Sequence, residues 1–497
     1  MTNSSKPVLV TGATGYVGGR LVPELLKRNH RVRAASRSVE KLKDRPWAEH
    51  ERIELVSMDA LEEDSTLSAV KNCGAIYYLI HSMGGDDDFH EKDIKAANNV
   101  RNAADHSKVQ QIIYLGGLGG EEDESSAHLR SRAEVAKTLQ NGETPVTTLR
   151  AGVILGSGSA SFEIIRYLVE RLPIMITPRW VRTPCQPIAI RNVINYLAGC
   201  LEHSETRGET YDIGGPEVLT YGDLLQTYAR VAGLTGRLII PVPVLTPTLS
   251  SYWVHFVTPV PASLAQPLIE GLKTPVVCED NRIRDVIPQE LINCETAISR
   301  ALEIQQNDQT TTRWSDAGEL PPVEWNNKND PQWAGGSVFE DHRTVCLQAQ
   351  PEEVWDEIEQ IGGDTGWYSS NILWKLRGRI DRLVGGVGLR RGRRDKDELQ
   401  AGDALDFWRV IDVDEPRRLL LGAEMKLPGD ALLEFRVETE SADTVIIHQT
   451  ATFRPRGLFG LIYWYLVFPF HHIVFQGMLK NLARSTNKTI LEGPYTV

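Results

Sequence analysis

A chain of 497 residues with 41% hydrophobic and 24% charged residues is too long for one ordinary core and too apolar for a disordered polymer, so two or three soluble domains are expected. Its formal charge of −12 argues against general affinity for nucleic acid or anionic lipid, while leaving room for a local basic patch. The cysteines stand at 73, 185, 200, 278, 294 and 346 with no CxxC pair and no Cys/His cluster. That spacing excludes a disulfide scaffold and a zinc site, predicts no bound metal, and fits a reducing cytoplasm. The N-terminus "MTNSSKPVLV" reaches a short apolar strand without a charged region and a long apolar one, so no secretion signal is expected.

Short apolar runs alternate with helical spacing through the first part of the chain: "PVLVTGA", "RVRAASR", "IELVSMD", "AIYYLIHS", "QIIYLGG" and "PVTTLRAGVILG". Near-continuous apolar strands between helices predict a parallel sheet covered on both faces, a doubly wound α/β domain over residues 1–302. Within it, residues about 160–300 read as a substrate-side lobe, with a Pro-rich apolar stretch near 241–267. Residues 303–333, rich in Gln, Asn, Asp, Thr and Pro, read as a linker. From 334 to 497 a strand, a Pro-started helix, four strand-like runs and a long apolar helix predict an α+β domain with an antiparallel sheet.

The closing stretch "GLFGLIYWYLVFPFHHIVF", 457–475, is about long enough to cross a bilayer. Pro469, His471 and His472 lie inside it, and its Trp and Tyr sit at the centre rather than at the ends. A buried or cavity-lining helix is therefore expected, with peripheral membrane contact left open.

The strongest motif is "VTGATGYVGGRLVPELLKRN". Gly12, Gly15 and Gly18 follow a strand directly and open an amphipathic helix, the context in which a glycine pattern reads as a dinucleotide site. Gly12 permits the tight turn, Gly15 admits the pyrophosphate, and Gly18 lets helix and strand pack closely. Thr14, Tyr16 and Val17 then lie at a helix N-terminus that offers N–H groups to phosphate. At the end of the next strand, where NAD sites carry an acidic residue, stand Ser36 and Arg37. A guanidinium matches a 2′-phosphate, so NADP(H) is favoured over NAD(H).

"GATGYVG", Arg37 after the second strand and "SMDALEED" after the third resemble the atypical and extended short-chain dehydrogenase/reductases, whose fold is the Rossmann domain; the likeness covers residues 1 to about 300. The resemblance implies that Asp59, with Ala60 beside it, bonds the adenine, and that Ile80, His81 and Ser82 line the ribose and nicotinamide. Active members carry a Tyr and, four residues on, a Lys, with a hydroxyl after the fifth strand. Here those positions hold His128, Arg132 and the pair Gly116–Gly117.

Cofactor holding and catalysis must therefore be judged separately. In one reading the chain is an oxidoreductase that reduces a hydrophobic carbonyl or enone without the Tyr/Lys pair. His128 or His81 would then act as proton donor and Arg132 would stabilise an oxyanion. In the other it resembles NmrA-like members, noncatalytic NADP-linked sensors, with Arg132 on the nicotinamide ribose. Arg132 beside His128 disfavours an imidazolium there.

The last domain resembles helix-grip domains of the START and polyketide-cyclase type by its element order and final apolar helix. That likeness implies an apolar cavity for a small hydrophobic ligand, with Trp367, Tyr368, Trp374, Phe407, Trp408, Phe435, Tyr463, Trp464 and Phe468 as candidate lining. The plainer expectation is that these aromatics fill a core. The basic run 375–399 reads by default as solvated, charge-paired surface, with a loop over the cavity mouth or a patch for an anionic partner as alternatives. Together the resemblances imply a bacterial two-domain cytoplasmic protein.

Overall fold

The computed structural model describes residues 6–80, 89–119, 127–242, 254, 257–303, 330–331, 333–363, 365–369, 374, 377–379, 381, 399–441 and 443–497. The chain divides into two compact units, Met1–Gly336 and Ser337–Val497. Most of the linker at 303–333 and of the basic run at 375–399 lies outside the described residues, as does part of the Pro-rich stretch.

In the first unit, β1 (Val8–Val10), β2 (Val32–Ser36), β3 (Ile53–Ser57), β4 (Ala75–Tyr78), β5 (Gln111–Gly117) and β6 (Val146–Ala151) alternate with α1 (Tyr16–Lys27), α2 (Glu40–Lys43), α3 (Glu63–Val70), α4 (Phe89–Ser107) and α5 (Ala127–Gln140). The strands form one parallel sheet in the order β11-β6-β5-β4-β1-β2-β3, where β11 is Thr210–Ile213. Both faces are dry because successive side chains on each strand go to opposite sides. Val8, Val10, Tyr77 and Ile113 pack in one cluster with Leu21 and Leu25 of α1. Leu9, Ile76, Tyr78 and Ile112 pack in another with Val100 of α4 and Val135 of α5. The strand order reverses between β1 and β4, so their C-terminal ends open a crevice.

A lobe follows β6. β7 (Ile154–Leu155) pairs with β10 (Ile188–Ala189), β8 (Ile174–Pro178) with β13 (Leu238–Val242), and β9 (Pro184–Cys185) with β12 (Leu219–Thr220). Around them lie α6 (Ala160–Arg171), α7 (Ile190–Glu202), α8 (Tyr221–Val231), α9 (Ala262–Gly271), α10 (Ile283–Val286) and α11 (Cys294–Leu302). Phe162, Val169, Leu224 and Tyr228 are buried between α6 and α8.

The second unit is a seven-stranded antiparallel sheet, ordered β15-β16-β17-β18-β19-β14-β20. Its elements are β14 (Phe339–Gln348), α12 (Pro351–Glu359), β15 (Ala404–Leu405), β16 (Trp408–Asp414), β17 (Arg418–Ala423), β18 (Gly429–Ser441), β19 (Thr444–Pro455), α13 (Gly457–Ser485) and β20 (Thr489–Thr496). The inward residues of β19, Val445, Ile447, Gln449 and Ala451, alternate with more exposed ones, as a sheet with one covered face requires. Trp367, Trp374, Phe407 and Trp408 pack ring against ring at centroid distances of 5.4–6.1 Å, Trp367 stacked on Phe407 and the other pairs tilted. These aromatics thus pack as a core.

One expectation is overturned. The closing helix α13 is not buried along its length: only 17% of its most apolar window is covered. Its C-terminal half supplies Phe475, Met478, Leu479 and Leu482 to the core, whereas Phe468, a candidate cavity residue, is exposed. Both sides of the helix are apolar, so periodicity carried no signal of which side would be covered.

Two buried charges stand on the inner face of β14. Arg343 donates to both carboxylate oxygens of Asp341 at 2.7 and 2.9 Å, and His471 Nδ1 of α13 stands 3.6 Å from Asp341 Oδ2, an ionic rather than hydrogen-bonded distance. Burial opposes ionisation of Asp341, but His471 and Arg343 outweigh it and hold its carboxyl below the usual range. A depressed folded value contributes stability above the unfolded carboxylate range and loses it as pH falls through the folded value. The second unit should therefore lose stability on acidification below roughly pH 4, and Asp341→Asn should flatten that limb of a Tm-against-pH curve. An unchanged limb would contradict this. Phe435, fully buried, should cost about 3–5 kcal/mol in urea denaturation when replaced by alanine; a loss below about 1 kcal/mol would contradict its place in the core.

Candidate functional site

The site begins where β1 hands over to α1. Gly12 has φ +66°, and a Cβ there would stand 2.7 Å from the Leu79 carbonyl oxygen after β4. A Cβ on Gly18 would collide with the Gly12 carbonyl. Glycine at both positions lets the first turn of α1 lie directly on the sheet end. No side chain caps α1 at Gly15, so its first N–H groups remain available to an anion.

A cavity of about 1230 Å³ opens at this loop. Gly12, Thr14, Gly15, Tyr16, Val17 and Gly18 line one end, together with Ile80 and Arg132. The other end runs into the lobe between Ile164, Leu168, Met175, Leu225 and Leu272. Its walls are mainly apolar, and one continuous space joins the glycine loop to the lobe.

The remaining cofactor candidates sit beside it. Ser36 ends β2 and Arg37 follows, exposed, with Ser36 opposite Ser57 of β3 in register. Asp59 and the buried Ala60 follow β3; Asp59 Oδ1 accepts from Leu61 N at 3.0 Å, while Asp59 N donates to Ser65 Oγ at 3.0 Å. Asp59 thus shapes the turn into α3. Ala60 is held by Asn99 of α4, whose amide donates to its carbonyl at 2.9 Å.

Arg132 reaches the cavity wall from α5, where its Nη1 lies 3.5 Å from Leu115 O. The Tyr114 hydroxyl donates to the Arg132 carbonyl at 3.1 Å, tying α5 to β5, and burial pushes its own pKa up to about 12. A Cβ on Gly117 would stand 2.9 Å from Leu129 and 3.3 Å from the Arg132 side chain, so those two side chains fill the space beside the end of β5. His128 belongs to α5 by its backbone; its side chain, and all of His81 and Ser82, lie outside the described residues.

Three charges were not singled out in the sequence. Arg20, buried in α1, pairs with Asp330 at 2.8 Å, donates to Ser157 O at 3.0 Å, and lies 4.0 Å from the Tyr16 ring centroid. Arg45 Nη2 donates to Thr14 O at 2.6 Å, bracing the glycine loop from the α2 side. Desolvation lowers the Arg45 pKa, Asp330 opposes that change, and Arg20 adds to it. Beyond Asp330, Tyr167 donates to Trp333 O at 2.9 Å and Gly335 N to Glu163 at 3.1 Å. Asp330, Trp333 and Gly335 are thereby tied to the lobe, with Pro331 and Trp333 in the cavity wall. Only "GG" at Gly18–Gly19 hinted at Arg45: a Cβ on Gly19 would lie 3.3 Å from its guanidinium.

Residues 12–164 match the family model described as NAD(P)H-binding, and residues 333–478 match a protein of unknown function (DUF2867). Fold, glycine loop and match together define the first unit as an NAD(P)H-binding Rossmann-like domain. Subunit 9 of the mitochondrial NADH dehydrogenase (ubiquinone) 1 alpha subcomplex of Arabidopsis thaliana is 22% identical over 302 residues, 57% of this chain and 74% of that protein. The chloroplastic divinyl chlorophyllide a 8-vinyl-reductase of Zea mays is 23% identical over 257 residues, 49% of this chain and 63% of that protein. Protein TIC 62 of Oryza sativa subsp. japonica is 34% identical over 141 residues, 24% of this chain and 27% of its own. The chain thus spans less than two thirds of the latter two. Among solved structures, the triphenylmethane reductase of Citrobacter sp. superposes with TM-score 0.50 at 20% identity, covering 60% of this chain and 99% of that one, a likeness of fold.

Gly18→Ala should weaken dinucleotide binding at least tenfold while leaving the second unit's unfolding unchanged, because the added Cβ displaces the loop from the helix. Titration of NADPH fluorescence checks this; unaltered affinity would mean that the loop does not carry the cofactor.

Proposed function

We propose that the first unit is an NADP(H)-dependent reductase of bulky apolar acceptors, hydrophobic carbonyls or enones, working without the Tyr/Lys pair. One observation carries this reading: a single cavity joins the glycine loop to the apolar lobe. The uncapped N-terminus of α1 fits a pyrophosphate, and the exposed Arg37 at the end of β2 suits a 2′-phosphate. Bound NADPH would supply the hydride.

The chain's own residues do the rest. Apolar walls exclude water and hold the acceptor against the cofactor end. The Arg132 guanidinium, on the wall at that end, stabilises the charge that develops on the acceptor oxygen. His128, one turn earlier on α5, is the candidate proton donor, with His81 as the other.

A noncatalytic NADP-linked sensor is the second reading, favoured by the filled hydroxyl position at Gly117. For the second unit we read the sheet closed by α13 as a START-like helix grip, and lipid extraction of the purified chain followed by mass spectrometry tests it for a small hydrophobic ligand.

NADPH oxidation against a panel of hydrophobic aldehydes, enones and quinones decides between the readings of the first unit. Turnover with at least one acceptor, reduced about a hundredfold by Arg132→Ala with little change in NADPH affinity, is the expected result. Tight NADPH binding without turnover on any acceptor would favour the sensor. Arg37→Glu should weaken NADPH at least tenfold and leave NADH unaffected; equal losses of both would refute the 2′-phosphate assignment.

A further inference from the structure

We propose that α13 docks the second unit on an anionic lipid bilayer, lying in the plane of the headgroups rather than crossing the membrane. From Gly457 to Leu479 the sequence holds no Asp, Glu, Lys or Arg, and the helix is long and apolar enough to span by length and composition. The two sides of the helix are committed differently. Trp464, Phe475, Met478 and Leu482 face the sheet and are buried.

Opposite them Phe459, Ile462, Tyr465, Leu466, Phe470 and Ile473 face outward, with Phe459 80%, Leu466 68% and Tyr465 67% exposed. At 100° per residue these six fall within one side of the helix, away from the core residues. A row of large apolar side chains of this extent is rare on a surface that faces only water. A spanning helix would need lipid on every side, which the packing of Phe475, Met478 and Leu482 against the sheet forbids. One free apolar side on a helix whose other side is fixed to a folded domain is the geometry of an interfacial anchor.

Charge selects the bilayer over a protein partner. Residues 444–491 contain Arg454, Arg456, Lys480, Arg484 and Lys488 and no Asp or Glu, within a chain of net charge −12; of these, Lys488 is paired with Glu353 at 2.6 Å. Lys480 and Arg484 are exposed toward one end of the apolar row and Arg456 toward the other. Arg456 also pairs with Asp430 at 3.5 Å, a contact weak enough to exchange for headgroup phosphate. A protein interface would normally ring its apolar centre with polar residues of both signs. Basic residues at both ends of an apolar stripe match anionic headgroups above acyl chains.

Flotation of the full chain with vesicles of equal parts phosphatidylcholine and phosphatidylglycerol tests this. The chain should float with these vesicles, bind pure phosphatidylcholine more weakly, and be released by alkaline carbonate. The double variant Phe459→Asp/Leu466→Asp, exposed positions that leave the core untouched, should weaken vesicle binding at least tenfold while keeping NADPH binding and Tm. Failure of the native chain to float would overturn the proposal. A native dimer that the double variant converts to a monomer, without vesicle binding, would assign the face to a second copy and overturn it too. Resistance to carbonate extraction would show a spanning helix and overturn the in-plane placement.

Discussion

The first unit depends on how closely α1 approaches β1. That approach is possible only because Gly12 adopts a positive φ under the Leu79 carbonyl and Gly18 has no Cβ to strike Gly12. With the helix this near the sheet end, its uncapped N–H groups face the cavity mouth where the strand order reverses. Any bulk at these positions would push the anion-binding terminus away from the crevice. The braces around the loop serve the same geometry, Arg45 on one side and the Arg20–Asp330 pair on the other. Both guanidiniums are buried, so breaking either contact would leave a desolvated charge, which costs more than the contact gains.

On the proposed reading, holding a cofactor and performing chemistry on it fall to different residues of this chain. The glycine loop is complete, whereas the positions that the resemblance assigns to Tyr, Lys and a hydroxyl carry His128, Arg132 and the pair Gly116–Gly117. Gly117 is not simply a lost hydroxyl. Leu129 and the Arg132 stem occupy its space, so serine there would displace both. The cavity wall here carries Arg132, which is always charged and gives up no proton. In the proposed reductase, a proton delivered to the acceptor would come from a histidine or from water.

How much of this was legible follows from the range of each interaction. Apolar strands at regular spacing and glycines right after the first of them are local signals, and they carried the parallel sheet and the glycine loop. The order of elements, strand-like runs followed by a long closing helix, likewise carried the antiparallel sheet. Asp330 meets Arg20 across 310 positions, and no local pattern announces such a pair. Arg45 looks like a surface residue in sequence, yet it donates to the Thr14 carbonyl. The closing helix was misread as buried because an all-apolar segment has no polar side to mark solvent; only the packing of Phe475 and Met478 against the sheet distinguishes its two sides.

The central claim is that the glycine loop holds a 2′-phosphorylated dinucleotide. Side-by-side calorimetric titration of the full chain with NADPH, NADP+, NADH and NAD+ tests it most directly. One site per chain, at least tenfold tighter for the 2′-phosphorylated forms, is the predicted result. No heat with any of the four would contradict the account and leave the loop a structural turn.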